Sequence, residues 1–475
     1  MIREDTIAAI STGLTDSGIG IIRISGKNAV EVGNKIFHLQ SGKKVLLNAQ
    51  SYKMYHGFAV DDNTNDIIDE VLAVVMKAPK SFTGEDTVEI QCHGGVLVMK
   101  KILAAVLSCG ARLADPGEFT KRAFLNGKMD LSRAEAVMDV IHSQNEYALT
   151  LSVSQLKGNL SKEVKRLRKE ILHEIAFIES ALDDPEHFNL EQYPEKLSEK
   201  ICDFIKRVKK WIDTAENGKI IKEGIQTVIV GKPNAGKSSL LNLLVGEERA
   251  IVTEVAGTTR DILQENIRLG EISLNVIDTA GIRDTRDIVE KIGVEKTKEY
   301  TETADLIVYV VDASTELDDN DKSIVSLIKN KPIIVLLNKS DLKNIVTEEM
   351  LKELFSDRKK VEDDSSHYSG PVMIKTSARD GEGMDVFEKT VKEMFFQEKM
   401  KSSNEIVITN MRHKKALEET WNALLLVNKS IEDGMPEDFY SIDLMNAYTS
   451  LGRILGEEVD DDLVEEIFSK FCMGK

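Results

Sequence analysis

The chain has 475 residues, 42% hydrophobic and 30% charged, with a formal net charge of −18; that is material for roughly three domains with real cores, but too acidic for a broad nonspecific nucleic-acid binder, leaving room only for a local basic stripe. No run approaches the ~20 apolar residues that span a bilayer, and the opening MIREDTIAAISTG carries Glu4 and Asp5, so neither a membrane segment nor a secretory signal is expected. Cys92, Cys109, Cys202 and Cys472 are scattered without a CxxC pair, which predicts a reducing, cytoplasmic setting with no zinc site and no disulfide framework.

Residues 1–124 mix short β-rich runs, Ile19–Ile24, Val71–Val75 and Thr87–Gln91, with glycine punctuation, predicting an α+β domain. Residues 125–223 hold few prolines and long stretches of helical period, Ala134 to Leu160 and Lys162 to Leu182. A basic run lies there, with Lys162, Lys165, Arg166, Arg168 and Lys169; a solvated helix face is the expected reading ahead of contact with tRNA. From Thr227 apolar runs alternate with helical stretches: Thr227–Val230, Leu274–Ile277, Leu306–Val311, Ile333–Leu337 and Val372–Ile374. This pattern predicts an α/β domain over 224–397 with a mostly parallel sheet. Residues 398–475 turn helical again, so the economical architecture is one helical domain, in two parts, interrupted by the α/β domain. The fold class is multidomain α/β and α.

The α/β segment carries a phosphate-binding constellation. A strand runs into GKPNAGKSS, whose Gly231, Gly236, Lys237 and Ser238 match GxxxxGK[ST]. Backbone N–H groups of Asn234, Ala235, Gly236 and the following residues would wrap the β-phosphate, with Ser239 continuing the loop into the helix. Lys237 would reach the β- and γ-phosphates and Ser238 would ligate magnesium. The helix that follows points its positive end at the anion. Downstream, VIDTAG supplies Asp278, Thr279, Ala280 and Gly281: the aspartate is expected to hold magnesium through water, and the Gly281 N–H to sense the γ-phosphate. NKSD follows an apolar run, with Asn338 and Lys339 bracing the loop and Asp341 accepting two hydrogen bonds from guanine. Adenine would leave that carboxylate unmatched, so the loop selects GTP. Thr376, Ser377, Ala378 and Arg379 form the last element, a backbone support for the guanine carbonyl. Between the first two motifs lies Thr253, Glu254, Val255, Ala256, Gly257, Thr258 and Thr259, with Thr259 the expected second magnesium hydroxyl. Ile282 stands where Ras-like proteins place a water-orienting glutamine, so the water must be positioned otherwise.

GKPNAGKSS, AGTTRD, DTAGI and NKSD resemble the TrmE–Era–EngA group of GTPases. Four segments outside the α/β domain narrow the resemblance to the MnmE (TrmE) family of tRNA modification GTPases: GIGIIRISG at 18–26, FTGEDTVEIQCHGG at 82–95, PGEFTKRAFLNGKMDLSRAEAV at 116–137 and the final FCMGK. Met473 replaces an isoleucine usual there. The resemblance implies a potassium ion held by Asn234, Thr253, Val255 and Thr258, sitting where an arginine finger would put charge. From chemistry alone Asn234 is equally a turn residue. Glu290 and Arg283 are implied to orient the attacking water when two GTPase domains meet. The N-terminal domain is implied to dimerise and to bind a tetrahydrofolate derivative, in the 5,10-methylene or 5-formyl form. There Glu89 would read the pterin edge, and Arg23, Lys128 and Lys475 would meet the rest of the folate. Cys472 is implied in the modification chemistry. His93, flanked by Gly94 and Gly95, reads as structural. The implied partners are a second copy, the flavoprotein MnmG (GidA) and tRNA, and the implied product is an aminomethyl-type or carboxymethylaminomethyl-type group at C5 of the wobble uridine. The alternative is a ribosome-assembly GTPase of the Era or EngA type, but this chain shows one GTPase motif set and no KH-type GxxG signature.

Overall fold

The computed structural model describes residues 5–184, 187, 193–246, 264–270, 272–278, 300–328, 331–356, 370–396, 406–457, 461–472 and 474. The chain divides into two compact units: residues 1–141, 153–201 and 422–475 form one, and residues 142–152 and 202–421 the other.

The first unit is built on a seven-stranded sheet. Its strands are β1 (Ile7–Ile10), β2 (Ser17–Ser25), β3 (Phe37–His38), β4 (Met54–Val60), β5 (Ile67–Met76), β6 (Thr87–Gly94) and β7 (Arg112–Leu113), in the spatial order β3-β4-β5-β6-β2-β1-β7. The predicted runs at 19–24, 71–75 and 87–91 fall inside β2, β5 and β6. Strand alternation sorts the side chains. Ile22, Ile24, Ala73, Val88 and Ile90 pack with Val32, Ile36, Met99 and Ile102 of the helices Ala29–Ile36 and Val96–Ser108. The opposite face places Ile7 and Ala9 against Ala114 and Phe119 of the helix Glu118–Leu125.

That second face also holds a charge network. Arg122, 5% exposed at its side chain, donates to Asp5 Oδ1 at 2.6 Å, Glu118 Oε1 at 3.0 Å and Glu85 Oε1 at 3.2 Å. Arg112 meets Glu118 at 2.6 Å and Asp5 at 2.8 Å. Burial alone would raise the Asp5 and Glu118 carboxyls, but the arginine hydrogen bonds outweigh it and hold both below their usual range. Depressed carboxylates stabilise the fold above their unfolded-state values, and that contribution is lost as pH falls through the folded-state values. Arg122→Leu removes the most buried member of the network while Arg112 still holds Asp5 and Glu118, and should cost about 1–3 kcal/mol. Urea titration at neutral pH checks the loss, and the acid-unfolding midpoint should move to higher pH.

The rest of this unit is helical. The helix Asn159–Asp183 packs along Glu437–Leu455, and Leu131, Ala134, Met138, Val464, Phe468 and Phe471 make a separate core. Arg168 of the predicted basic run is turned inward: it is 6% exposed, stacks over Tyr448 at 4.0 Å and bonds Glu457. Arg166 pairs with Glu163 at 2.5 Å. These partners favour the structural reading of the run.

The second unit is built on a six-stranded sheet: β8 (Ile225–Val230), β9 (Gln264–Leu269), β10 (Ile272–Asp278), β11 (Leu306–Asp312), β12 (Ile333–Asn338) and β13 (Val372–Lys375), ordered β13-β12-β11-β8-β10-β9. All pairings are parallel except β9 with β10. The five predicted runs match β8 and β10 to β13. The boundaries expected at 224 and 397 lie within this unit, for a packing reason: Ile221 and Ala148 are buried with the sheet's own Ile225, Leu274 and Val308. Among the described residues no helix is long and apolar enough to cross a membrane.

Candidate functional site

The first site grows from the end of β8. Gly231 has φ 154°, and a Cβ there would stand 2.4 Å from the Val310 carbonyl oxygen. Asn234 (φ 62°) and Gly236 (φ 102°) complete the turn into the helix Lys237–Val245. A Cβ on Gly236 would stand 2.0 Å from Asn338 Nδ2, so glycine is required for the approach of the two loops. Lys237 Nζ donates to the carbonyls of Gly231 at 2.7 Å and Lys232 at 2.8 Å, folding back across the loop where a phosphate oxygen would compete for it. Ser238 and Asn234 are exposed. The αL conformation of Asn234 is one asparagine tolerates well, so its backbone role is accounted for by the turn itself.

Asn338, 3% exposed, ties three loops together. Its Nδ2 donates to the Ala235 carbonyl at 2.9 Å, and its Oδ1 accepts from the Ala378 N–H at 3.0 Å. Lys339 meets Asp312 Oδ2 at 2.5 Å. Burial would raise the Asp312 carboxyl, but Lys339 and Ser314 hold it below the usual range. Ser377 Oγ lies 3.2 Å from Asp341 Oδ1 and 2.8 Å from Asp380 Oδ2. Together these loops line a cavity of about 830 Å³, with Gly236, Ser239, Asn338, Lys339, Asp341, Ala378 and Arg379 on its walls. The size suits a drug-sized ligand. The wall also includes Asn242, Leu243, Leu342 and Asp380, which sequence reasoning missed. Helical spacing from Ser239 would have found the first two, since residues three and four apart share a face.

Asp278 ends β10 with its backbone in register with Ile229; its side chain lies outside the described residues. Thr253, Glu254, Val255, Ala256, Gly257, Thr258, Thr259, Thr279, Ala280, Gly281, Arg283, Glu290 and Lys475 also lie outside them.

A second constellation sits on the polar-bearing face of the seven-stranded sheet. Ala9, Arg23 and Glu89 are consecutive cross-strand partners on β1, β2 and β6. Arg23 Nε donates to Glu89 Oε1 at 2.8 Å, and its guanidinium lies 5.4 Å from the Phe82 ring centre and 5.6 Å from that of Phe119. The two predicted residues therefore form one unit, with Arg23 at the Glu89 end of any shared ligand. Each carboxylate oxygen has two lone pairs, so Glu89 retains acceptor capacity. Lys128 Nζ donates to the Pro79 carbonyl at 2.8 Å, and its stem lies beside Gly84, in the loop that carries Phe82. Cys472 is exposed, and its carbonyl accepts from Gly117 N–H at 3.3 Å. Gly474 (φ 85°) follows, its carbonyl accepting from Ser11 Oγ at 3.0 Å. A Cβ on Gly474 would stand 2.2 Å from the Ile10 carbonyl. The tail is thus seated at the end of β1, the strand whose Ala9 registers against Arg23. His93 is bound at Nδ1 by Asp69 at 2.7 Å, and its imidazole is raised by that hydrogen bond.

Family descriptions match both parts of the chain: "MnmE helical domain" over residues 131–472 and "GTP-binding protein TrmE N-terminus" over residues 6–128. Three curated relatives carry the name tRNA modification GTPase MnmE. The chain is 54% identical to that of Lachnoclostridium phytofermentans over 100% of both chains. It is 47% identical to that of Clostridioides difficile over 100% of both, and 45% identical to that of Alkaliphilus oremlandii over 99% of both. Among solved structures, Aquifex aeolicus Era bound to GDP.AlF4- is 30% identical, covering 42% of this chain and 67% of its own, with a TM-score of 0.27.

Proposed function

The chain belongs to the MnmE family of tRNA modification GTPases, and from that premise we propose that it couples potassium-activated GTP hydrolysis to modification at C5 of the tRNA wobble uridine. The observation that carries the reading is full-length identity of 45–54% to relatives of that name, supported by a cavity that Gly236 and Ser239 share with Asn338, Lys339 and Asp341. Asp341 reads the base, Asn338 holds the three loops in register, and Lys237 moves from the loop carbonyls to the β- and γ-phosphates. Ser238 and Thr259 would hold magnesium. Asn234, Thr253, Val255 and Thr258 would hold potassium, which supplies positive charge for the leaving phosphate oxygens. Glu290 and Arg283 are assigned to the attacking water.

The sheet of the first unit suits a folate. Glu89 offers carboxylate lone pairs to a pterin's N–H edge, Arg23 orients that carboxylate, and Phe82 and Phe119 flank the pair with aromatic surface. Lys128 and Lys475 are assigned to the anionic part of the ligand. A tetrahydrofolate in the 5,10-methylene or 5-formyl form would supply the one-carbon unit. Cys472 is the assigned thiol, held in place by the backbone contacts of its neighbours. The working state is proposed to be a cytoplasmic homodimer in complex with the flavoprotein MnmG, acting on tRNA.

Nucleoside analysis of tRNA from a strain lacking this chain, with and without the gene restored, tests the reading; unmodified wobble uridine without it and modified uridine with it are expected. Glu89→Ala should weaken folate binding and Cys472→Ser should lower modification. Both should leave GTP turnover within about twofold, since the nucleotide site is built from other residues. Normal modification by Cys472→Ser would reduce that thiol to an incidental one, and unaltered folate affinity in Glu89→Ala would move the pterin elsewhere.

A further inference from the structure

The phosphate loop is tethered from outside itself. Lys232 Nζ lies 2.7 Å from Asp321 Oδ2, 3.3 Å from Asp318 Oδ2 and 3.3 Å from the Glu316 carbonyl. Those are three acceptors for the three N–H donors of an ammonium, so Lys232 has none left for a phosphate. Asp321 is 1% exposed, and its Oδ1 accepts from the Tyr309 hydroxyl at 2.6 Å. Tyr309 pairs in register with Val230, the residue that leads into the loop. Asp321 is therefore fixed by the strand beside β8 and in turn fixes Lys232. Burial would lower the Lys232 ammonium, but the two aspartates outweigh it and keep it charged.

The same turn holds the base-reading loop. Asp312 binds Lys339, and Ala313 N–H donates to the Asn338 carbonyl at 2.9 Å. Residues 312–321 thus touch the phosphate loop through Lys232 and the guanine loop through Asn338 and Lys339.

We propose that Lys232 is a positioning residue for GTP: its tether to Asp321 and Asp318 fixes the entry of the phosphate loop against the turn that anchors the guanine loop, and so sets the spacing of the two subsites. A nucleotide meets both subsites in the ground state and in the transition state, so the effect belongs in affinity and not in turnover at saturation.

Three variants of the full chain decide it: Lys232→Met, Lys232→Arg, and Lys232→Met combined with Asp321→Asn. The combined variant removes both charges together and avoids stranding a buried carboxylate. Calorimetric titration with GDP and with GTP at low temperature should show roughly tenfold weaker binding of both in Lys232→Met, a size typical of coupled neighbours. Lys232→Arg should stay within about threefold of the parent, since arginine keeps the charge but not the point geometry. The combined variant should recover the melting temperature without recovering affinity. Turnover at saturating GTP should hold within about threefold in every variant that folds. Parental affinity in the combined variant would overturn the proposal and leave the pair a fold-stabilising one. A fall in saturated turnover with unchanged affinity would overturn it as well.

Discussion

Asp341→Asn should lower GTP affinity by roughly 10⁴-fold and confer use of xanthosine triphosphate, because a polar group that the bound base covers is strongly rejected when it faces the wrong edge. The donor set gives the direction of the change: a carboxylate accepts from both the ring N–H and the 2-amino group of guanine, whereas asparagine offers one acceptor and one amide donor. An amide donor then faces the 2-amino group of guanine, donor against donor, whereas xanthine presents a carbonyl there. Competition titrations with GTP, ITP and XTP check the result. A variant that binds GTP like the parent would remove Asp341 from base recognition.

Potassium should accelerate hydrolysis by about 10³-fold over sodium, the lower part of the range for charge supplied by an arginine finger. Sodium is too small for a cage of carbonyl and amide oxygens set at potassium distance. Asn234 is the described member of the proposed cage, and its φ of 62° complicates the usual truncation. An alanine there would strain the turn as well as remove the ligand, by roughly 1–2 kcal/mol for a left-handed L-residue. Asn234→Gly separates the two effects, since glycine takes the same backbone without strain. Turnover in potassium and in sodium at fixed ionic strength should become equal in Asn234→Gly as in Asn234→Ala. Full potassium activation in the glycine variant would confine Asn234 to its turn.

The nucleotide site was legible in the sequence because its parts are short, contiguous and ordered. GKPNAGKSS and NKSD each carry their chemistry within a few residues, and buried parallel strands show as plain apolar runs. β9, QENIRL, escaped notice because it is a polar edge strand paired on one side only. The break in the predicted helix Ala134–Leu160 was legible but unread: Asn145 Oδ1 accepts from the Ala148 N–H at 2.8 Å and starts a new helix at Glu146. Of the Arg122 network only the Glu118–Arg122 pair, four residues apart on one helix, was within reach of sequence spacing; Asp5, Glu85 and Arg112 join it through tertiary structure. The same holds for the tether of Lys232, whose partners lie more than eighty residues away and look like an ordinary acidic loop. The compact units differ from the expected segments because texture reports helix or strand, whereas packing decides which core a helix joins.

The bond between Ser11 and Gly474 joins residues 463 positions apart. A ribosome adding 5–20 residues per second needs roughly 25–90 s to make the second after the first. From the synthesis of β7 onward all strands of the first sheet and its arginine–glutamate pair have been made, while the seat at the end of β1 stands without its occupant. A polypeptide released before residue 474 lacks the segment that fills this seat, so the end of the strand made first is covered only by residues made several hundred positions later.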